Sequence, residues 1–240
     1  MTTMKIGAIA MLAAGMAAGA GTPAAAVDAL KVTVGSIENG KMIPNKFAFC
    51  VAATEGHAKA GSDISPSISW SKGPAGTKSY AIVAHDTEAP AEQREKMNKE
   101  GMTLGADVPR RNFFHWILVD IPADVTSIKE GAESTARVAH GKPATPAAAG
   151  VRGLNDFTKA LAANEAMKGQ YYGYDGPCPP WNDEKVHRYH FTVYALNVAS
   201  LGLKDPDGAA VLEAIKGKVL AEGEVLGLFV TNPAKGAKVE

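Results

Sequence analysis

Residues 171–194 hold the densest group of side chains able to shape or hold a ligand: Tyr171, Tyr172, Tyr174, Trp181, Tyr189, Phe191 and Tyr194 are seven of the chain's sixteen aromatics. They surround Gly176-Pro177-Cys178-Pro179-Pro180-Trp181, in which three prolines fix φ and remove three amide donors. Such a loop is stiff. Its remaining amides, those of Gly176 and Cys178 among them, could face an anion as turn amides do, and the same stiffness equally suits a plain corner between two strands. The usual enzyme signatures are absent: no Gly-x-Ser-x-Gly elbow, no His-Glu-x-x-His pair, no phosphate loop ending in Lys-Ser/Thr and no Cys-x-x-Cys.

The segment after the loop carries more chemistry. With a period of two, His187, Tyr189, Phe191, Val193 and Ala195 share one face of a strand, apolar except at its start. Around 113–121, Phe113, His115, Ile117, Val119 and Ile121 form a similar face with a histidine near its beginning. A third strand aligns Tyr80, Ile82, Ala84 and Asp86 and ends on the carboxylate. Each face thus meets one ionisable group at its rim. Alone, each reads as a strand-end residue; together they suit a cleft. Histidine N–H groups, loop amides and a tyrosine hydroxyl are donors for phosphate oxygens, and Asp86 suits the orienting of an imidazole. If the histidines supply the charge, anion affinity strengthens below about pH 6.5.

The elements that must position these groups read mostly as strands, near Leu30–Val34, Phe47–Ala53, Ser67–Trp70, Lys78–Asp86, Phe114–Ile121 and His187–Val198, divided by turn residues. The pattern is an antiparallel sandwich. Two helices are expected in the second half. One covers roughly Phe157–Lys168; the other has Asp205 as N-cap, Pro206 in its first turn and Val211, Leu212, Ile215 and Val219 on one face. The polar stretch Glu92–Arg111 reads as a long surface excursion.

Composition narrows the partners. Twenty-five Lys and Arg balance 25 Asp and Glu, so the chain lacks the basic excess that holds a nucleic-acid backbone. Lys5, the apolar run Ile6–Ala20 and the small residues to Ala26 have the order of a secretory signal and are too short for a transmembrane helix. The expected organisation is a signal over residues 1–26, cleaved near Ala26, and one domain over 27–240, periplasmic or secreted. Export would permit Cys50 and Cys178 to pair, bracing the pocket wall; the alternative is two buried thiols.

Ser65-Pro66-Ser67-Ile68-Ser69-Trp70, Asp86-Thr87-Glu88-Ala89-Pro90, His115-Trp116, the loop Gly176–Pro180 and His187-Arg188-Tyr189 together resemble the phosphatidylethanolamine-binding protein family, in particular its bacterial Raf-kinase-inhibitor-like branch, the YbhB/YbcL type. The resemblance implies a mainly β fold, a sandwich of two antiparallel sheets with peripheral C-terminal helices, and a small pocket for anions such as phosphate or phosphoethanolamine. By position it assigns Asp86, His115, Gly176, Pro180, His187 and Tyr189 to ligand binding, with Phe113 and Tyr174 as walls. No catalytic residue, metal or cofactor is implied. Thr87 and Glu88 depart from the family's Pro and Asp, and the 92–111 excursion is long enough to reshape or cover the pocket mouth. A protein-binding inhibitor of an enzyme and a His/Asp metal-dependent hydrolase are the competing functions.

Overall fold

A computed structural model describes Met1 and residues 28–232. The expected signal, Met1 apart, lies outside the described residues. The strands in chain order are β1 (Asp28–Ala29), β2 (Val32–Val34), β3 (Lys41–Met42), β4 (Cys50–Ala52), β5 (Ala58–Ala60), β6 (Ile68–Trp70), β7 (Ser79–Pro90), β8 (Arg110–Pro122), β9 (Ser127–Ile128), β10 (Gly141–Lys142), β11 (Val151–Arg152), β12 (Gln170–Tyr171), β13 (His187–Leu196) and β14 (Val219–Phe229). Among the described residues two α-helices, α1 (Phe157–Ala160) and α2 (Gly208–Ala214), lie in the second half.

The main sheet runs β1-β14-β13-β7-β8-β11, with β3 also on β14. Its long members pair antiparallel, whereas β1 and β3 join β14 in parallel. A smaller antiparallel sheet, β2-β6-β9, faces it. Val34, Ile68 and Trp70 from the small sheet meet Tyr80, Ile82, Trp116, Leu118, Phe191 and Val193 in one core. The other face of the large sheet buries Ala81, Val83, Phe114, Ile117 and Val119 against Val211 and Ile215 from the α2 region.

The alternation expected for β7 and β13 is realised, but that of β8 is broken. Ala84 pairs with Trp116 and His85 with Phe114, so His115 is the extra residue of a β-bulge. After the bulge the faces exchange: Ile117 and Val119 turn to the helix side, and Trp116 and Leu118 enter the inter-sheet core. The single apolar face read through Phe113, His115, Ile117, Val119 and Ile121 therefore does not exist.

Both helices are shorter than the sequence suggests. After one turn α1 gives way to successive turns, its entry fixed by Asn155 Oδ1, which accepts the Phe157 amide at 3.0 Å. Asp207, not Asp205, caps α2, its side chain accepting the Ala210 amide at 2.9 Å. Asp205 adopts φ 45° and accepts the Tyr172 hydroxyl at 2.8 Å instead. Val219 is no part of the helix face. Gly217 at φ 71° turns the chain, and Val219 opens β14, which pairs with β13 on one side and with β1 and β3 on the other. The segment 47–53 is strand only at Cys50–Ala52, after a 3-10 turn at Asn45–Phe47.

Candidate functional site

Three neighbouring strands set the floor of a cavity of about 200 Å³. Tyr189 on β13 stands opposite Asp86 on β7, which stands opposite Phe113 on β8, so alternation aims the three side chains to one side. His187, two residues before Tyr189, and His115, two residues after Phe113, line the same cavity. The proline loop supplies Cys178, Pro179 and Pro180, and Phe157 and Leu161 close the apolar wall. Of the residues expected at the site, Asp86, His115, Pro180, His187, Tyr189 and Phe113 line the cavity.

Gly176 and Tyr174 do not line it. The Gly176 amide is spent on the buried Asp63, donating to Oδ1 at 2.7 Å, so it is not free for a ligand. A glycine is needed there because a Cβ would stand 1.9 Å from the Phe47 carbonyl oxygen. The Tyr174 hydroxyl donates to that same carbonyl at 2.6 Å. Both residues hold the proline loop against the chain below it. The Cys50–Cys178 disulfide does so covalently, and the Phe49 amide donates to the Pro177 carbonyl at 2.9 Å.

The two histidines differ in state. His187 is buried between carboxylates: Nδ1–H donates to Asp86 Oδ2 at 2.6 Å and Nε2–H to Asp183 Oδ2 at 3.2 Å. Burial alone would push its pKa down, but the Asp86 charge and the hydrogen bonds to Asp183 and Asp86 outweigh burial and raise it to about 9. It is an imidazolium at neutral pH. His115, fully buried, donates Nδ1–H to the Asp175 carbonyl at 2.8 Å. Burial pushes its pKa below 6.5 against the pull of Asp86 and of that bond, so it is neutral at pH 7. Its Nε2 then carries a lone pair, and Nδ1 makes the ring's one hydrogen bond seen among the described residues. The expectation that both histidines gain charge near pH 6.5 is corrected on both counts: one is charged well above that pH and the other resists charging.

Behind His187 the charges alternate. Arg110 forks onto Asp183 at 2.5 and 3.1 Å, and Asp183 also accepts the Lys185 amide at 3.0 Å. Burial raises the Asp183 pKa, but its bonds to His187 and Arg110 win and leave it lowered. Asp86 uses its second oxygen on the Glu88 amide at 2.8 Å, so Thr87 and Glu88 still close a turn on this carboxylate. Arg110, Asp183, His187 and Asp86 form a run of two cations and two anions whose charges cancel. Each Asp86 oxygen thus already accepts one hydrogen bond from the protein.

This arrangement can be set beside known proteins. A sequence profile of the family described as Phosphatidylethanolamine-binding protein matches residues 33–230. The chain belongs to the phosphatidylethanolamine-binding protein family. A UPF0098 protein of Aquifex aeolicus is 32% identical over 198 residues, 81% of this chain and 84% of its own. UPF0098 protein YbcL of Escherichia coli is 28% identical over 204 residues, 84% of this chain and 87% of its own. The crystal structure of E. coli YbcL, described as a new member of the mammalian PEBP family, superposes with a TM-score of 0.58 over 84% of this chain and 98% of that one. A phosphatidylethanolamine-binding protein homologue from Chlamydia trachomatis gives a TM-score of 0.52 at 26% identity, over 84% of this chain and 97% of its own.

In this family member the excursion between β7 and β8 does more than run over the surface. Leu104 is fully buried and bridges to Asp183, and the Asn182 amide donates to the carbonyls of Lys96 and Met102 at 2.8 and 3.1 Å. Anchored in this way, the excursion brings Arg94, Met97 and Asn98 into the cavity lining. Arg111 joins them from β8, its guanidinium 5.3 Å from the Phe113 ring centre and 3.4 Å from Asp156. Arg94, Arg110, Arg111 and Asp183 were not singled out from sequence. The two lining arginines sit in a polar run that resembles any solvated loop, and Asp183 gains its role only through contacts distant in the chain. The Tyr189 hydroxyl is buried without a hydrogen-bond partner; the Cys178 amide faces it without reaching bonding geometry.

Proposed function

We propose that this chain is an exported binding protein whose cavity takes a small anionic group of the phosphate or phosphoethanolamine type. The observation that carries the reading is the pairing of an enclosed floor with two arginines, Arg94 and Arg111, in the lining. Arg94 is exposed and makes no ion pair among the described residues, and guanidinium is the side chain best fitted to phosphate oxygens. The His187 imidazolium is balanced by Asp86 and Asp183, which hold that ring in place, so the positive charge offered to a ligand comes from the arginines.

Binding without catalysis fits the lining, which presents no serine, threonine or free thiol as a nucleophile. Metal-dependent hydrolysis has little support from the donor set, since both His187 nitrogens are turned to carboxylates. Export is supported by the order of residues in the first 26 positions and by the Cys50–Cys178 bridge, which an oxidising compartment sustains. N-terminal sequencing of the protein recovered from the periplasm or medium should begin close to residue 27.

Calorimetric titration with inorganic phosphate at low salt tests the binding reading. Saturable one-site binding is expected, and Arg94→Ala and Arg111→Ala should each weaken it by about tenfold, one charge-assisted contact apiece, with unchanged thermal stability. Folded protein that takes up no phosphate would end this reading.

A further inference from the structure

The polar groups left open in the cavity are not all donors, and that asymmetry selects among anions. Both N–H groups of His187 point at carboxylates. The Gly176 amide is held by Asp63. At the floor there remain the Tyr189 hydroxyl, able to donate or accept, and the bare Nε2 of His115, able only to accept. Their rings pack edge to face with centres 5.1 Å apart, and both residues line the cavity. An anion oxygen without a proton would face the Nε2 lone pair and lose a hydrogen bond on each side. An oxygen that still carries its proton would donate to Nε2, while its neighbours accept from Tyr189 and the arginines.

We propose that the cavity selects the singly charged, still protonated form of a phosphomonoester, with His115 Nε2 accepting the P–O–H proton, and discriminates against phosphodiesters and sulfate esters, which have no such proton. This rests on the reading of the cavity as an anion site and goes further: the ligand is a free headgroup or another monoester, not the diester of an intact phospholipid. The surroundings of His115 keep its acceptor in place. Its Nδ1–H is committed to the Asp175 carbonyl. The charged and titratable groups that act on it are Asp86 from β7, Asp175 from the proline-loop segment, Asp156 at the start of α1 and the neighbouring His85. Asp86 is balanced by His187 and Asp156 lies 3.4 Å from Arg111, while Phe113, Phe157 and Tyr189 enclose the ring. Burial therefore outweighs those carboxylates and holds the ring against protonation.

Three ligands with one ethanolamine skeleton separate the possibilities: phosphoethanolamine, ethanolamine O-sulfate and glycerophosphoethanolamine, each titrated calorimetrically into the full chain at about pH 5 and about pH 8. A phosphomonoester loses its second proton near pH 6. Phosphoethanolamine should therefore bind at acid pH and weaken by about 100-fold at pH 8, from the loss of the monoanion alone. The sulfate ester and the diester should bind at least about tenfold more weakly at pH 5, with no such pH dependence, since each forfeits one hydrogen bond to a buried acceptor. His115→Gln, whose amide can donate, should narrow the gap between phosphate and sulfate esters.

Equal affinities for the phosphate and sulfate esters at pH 5 would overturn the proposal and leave the anion site standing. So would all three ligands strengthening in parallel toward acid, because that is His115 taking up the proton itself. Tight binding of the diester would also overturn it and would return the intact lipid as ligand. Failure of all three at both pH values would remove the anion site and the selectivity together.

Discussion

The two-carboxylate clamp on His187 should appear as a loss of stability on the alkaline side of neutrality. The native imidazole titrates at about 9 and the unfolded one near 6.5. A base with a raised native value contributes its full stabilisation below the unfolded value and loses it as pH rises through the folded one. From 6.5 to about 9 corresponds to about 3 kcal/mol of native preference for the charged ring. His187 is 1% exposed, so solvent does little to screen the effect. Urea unfolding of the disulfide-intact protein and of His187→Gln, followed by tryptophan fluorescence from about pH 6 to about pH 10, reports this contribution, because titrating groups remote from the clamp act alike on both proteins. The wild type should exceed the variant most near pH 6, and the gap should shrink by about 3 kcal/mol by pH 10. A gap that stays constant over the whole range would refute the clamp as an energetic device. If the variant does not fold, Asp183→Asn serves: it removes one of the two carboxylates and should move the alkaline loss of stability to lower pH.

The buried Asp63 gives a second pH signature with the same sign. Burial first, then repulsion by Asp175, raise it to about 8, so its contribution is present below the unfolded value of 3.8 and lost as pH rises through about 8. Asp63→Asn, an imitation of the protonated acid, should match the wild type in acid and exceed it in thermal stability above pH 8; a variant that declines as steeply as the wild type would clear Asp63 of this role. Cleaving the Cys50–Cys178 bridge, which spans 128 residues, should lower stability by about 5 kcal/mol on the chain-entropy account, measured as urea midpoints with and without reductant. Equal midpoints would show that noncovalent contacts alone hold the loop.

The parts of the site that were legible in the sequence are those governed by strand alternation. Asp86, His187 and Tyr189 continue regular apolar faces on β7 and β13, so a period of two was enough to place them side by side. The rest depends on departures from that period or on distant contacts. The bulge at His115 reverses the faces of β8, and nothing in Phe113–Ile121 announces it. β14 escapes a propensity reading because Gly223 and Gly227 interrupt it, yet both are needed where the backbone of Leu30 and the side chain of Ile43 crowd the strand. Asp183 and Arg110 are 73 residues apart and meet only because the excursion between β7 and β8 docks on Asn182. The proline loop was legible as rigid. What it rests on, Asp63 and the Phe47 carbonyl, was not.

The strand order also decides when in the life of the polypeptide the site can exist. β13, which carries His187 and Tyr189, lies between β7 and β14, and β14 is the last strand among the described residues. A nascent chain that ends before Val219 would leave β13 as an open edge, its row of amides and its Tyr189, Phe191 and Val193 side chains ready to template another molecule. Premature termination or proteolytic clipping inside the final strand would therefore yield a self-associating species, not a weaker binder. Quality control of this protein turns on the eleven residues of β14, none of which lines the cavity.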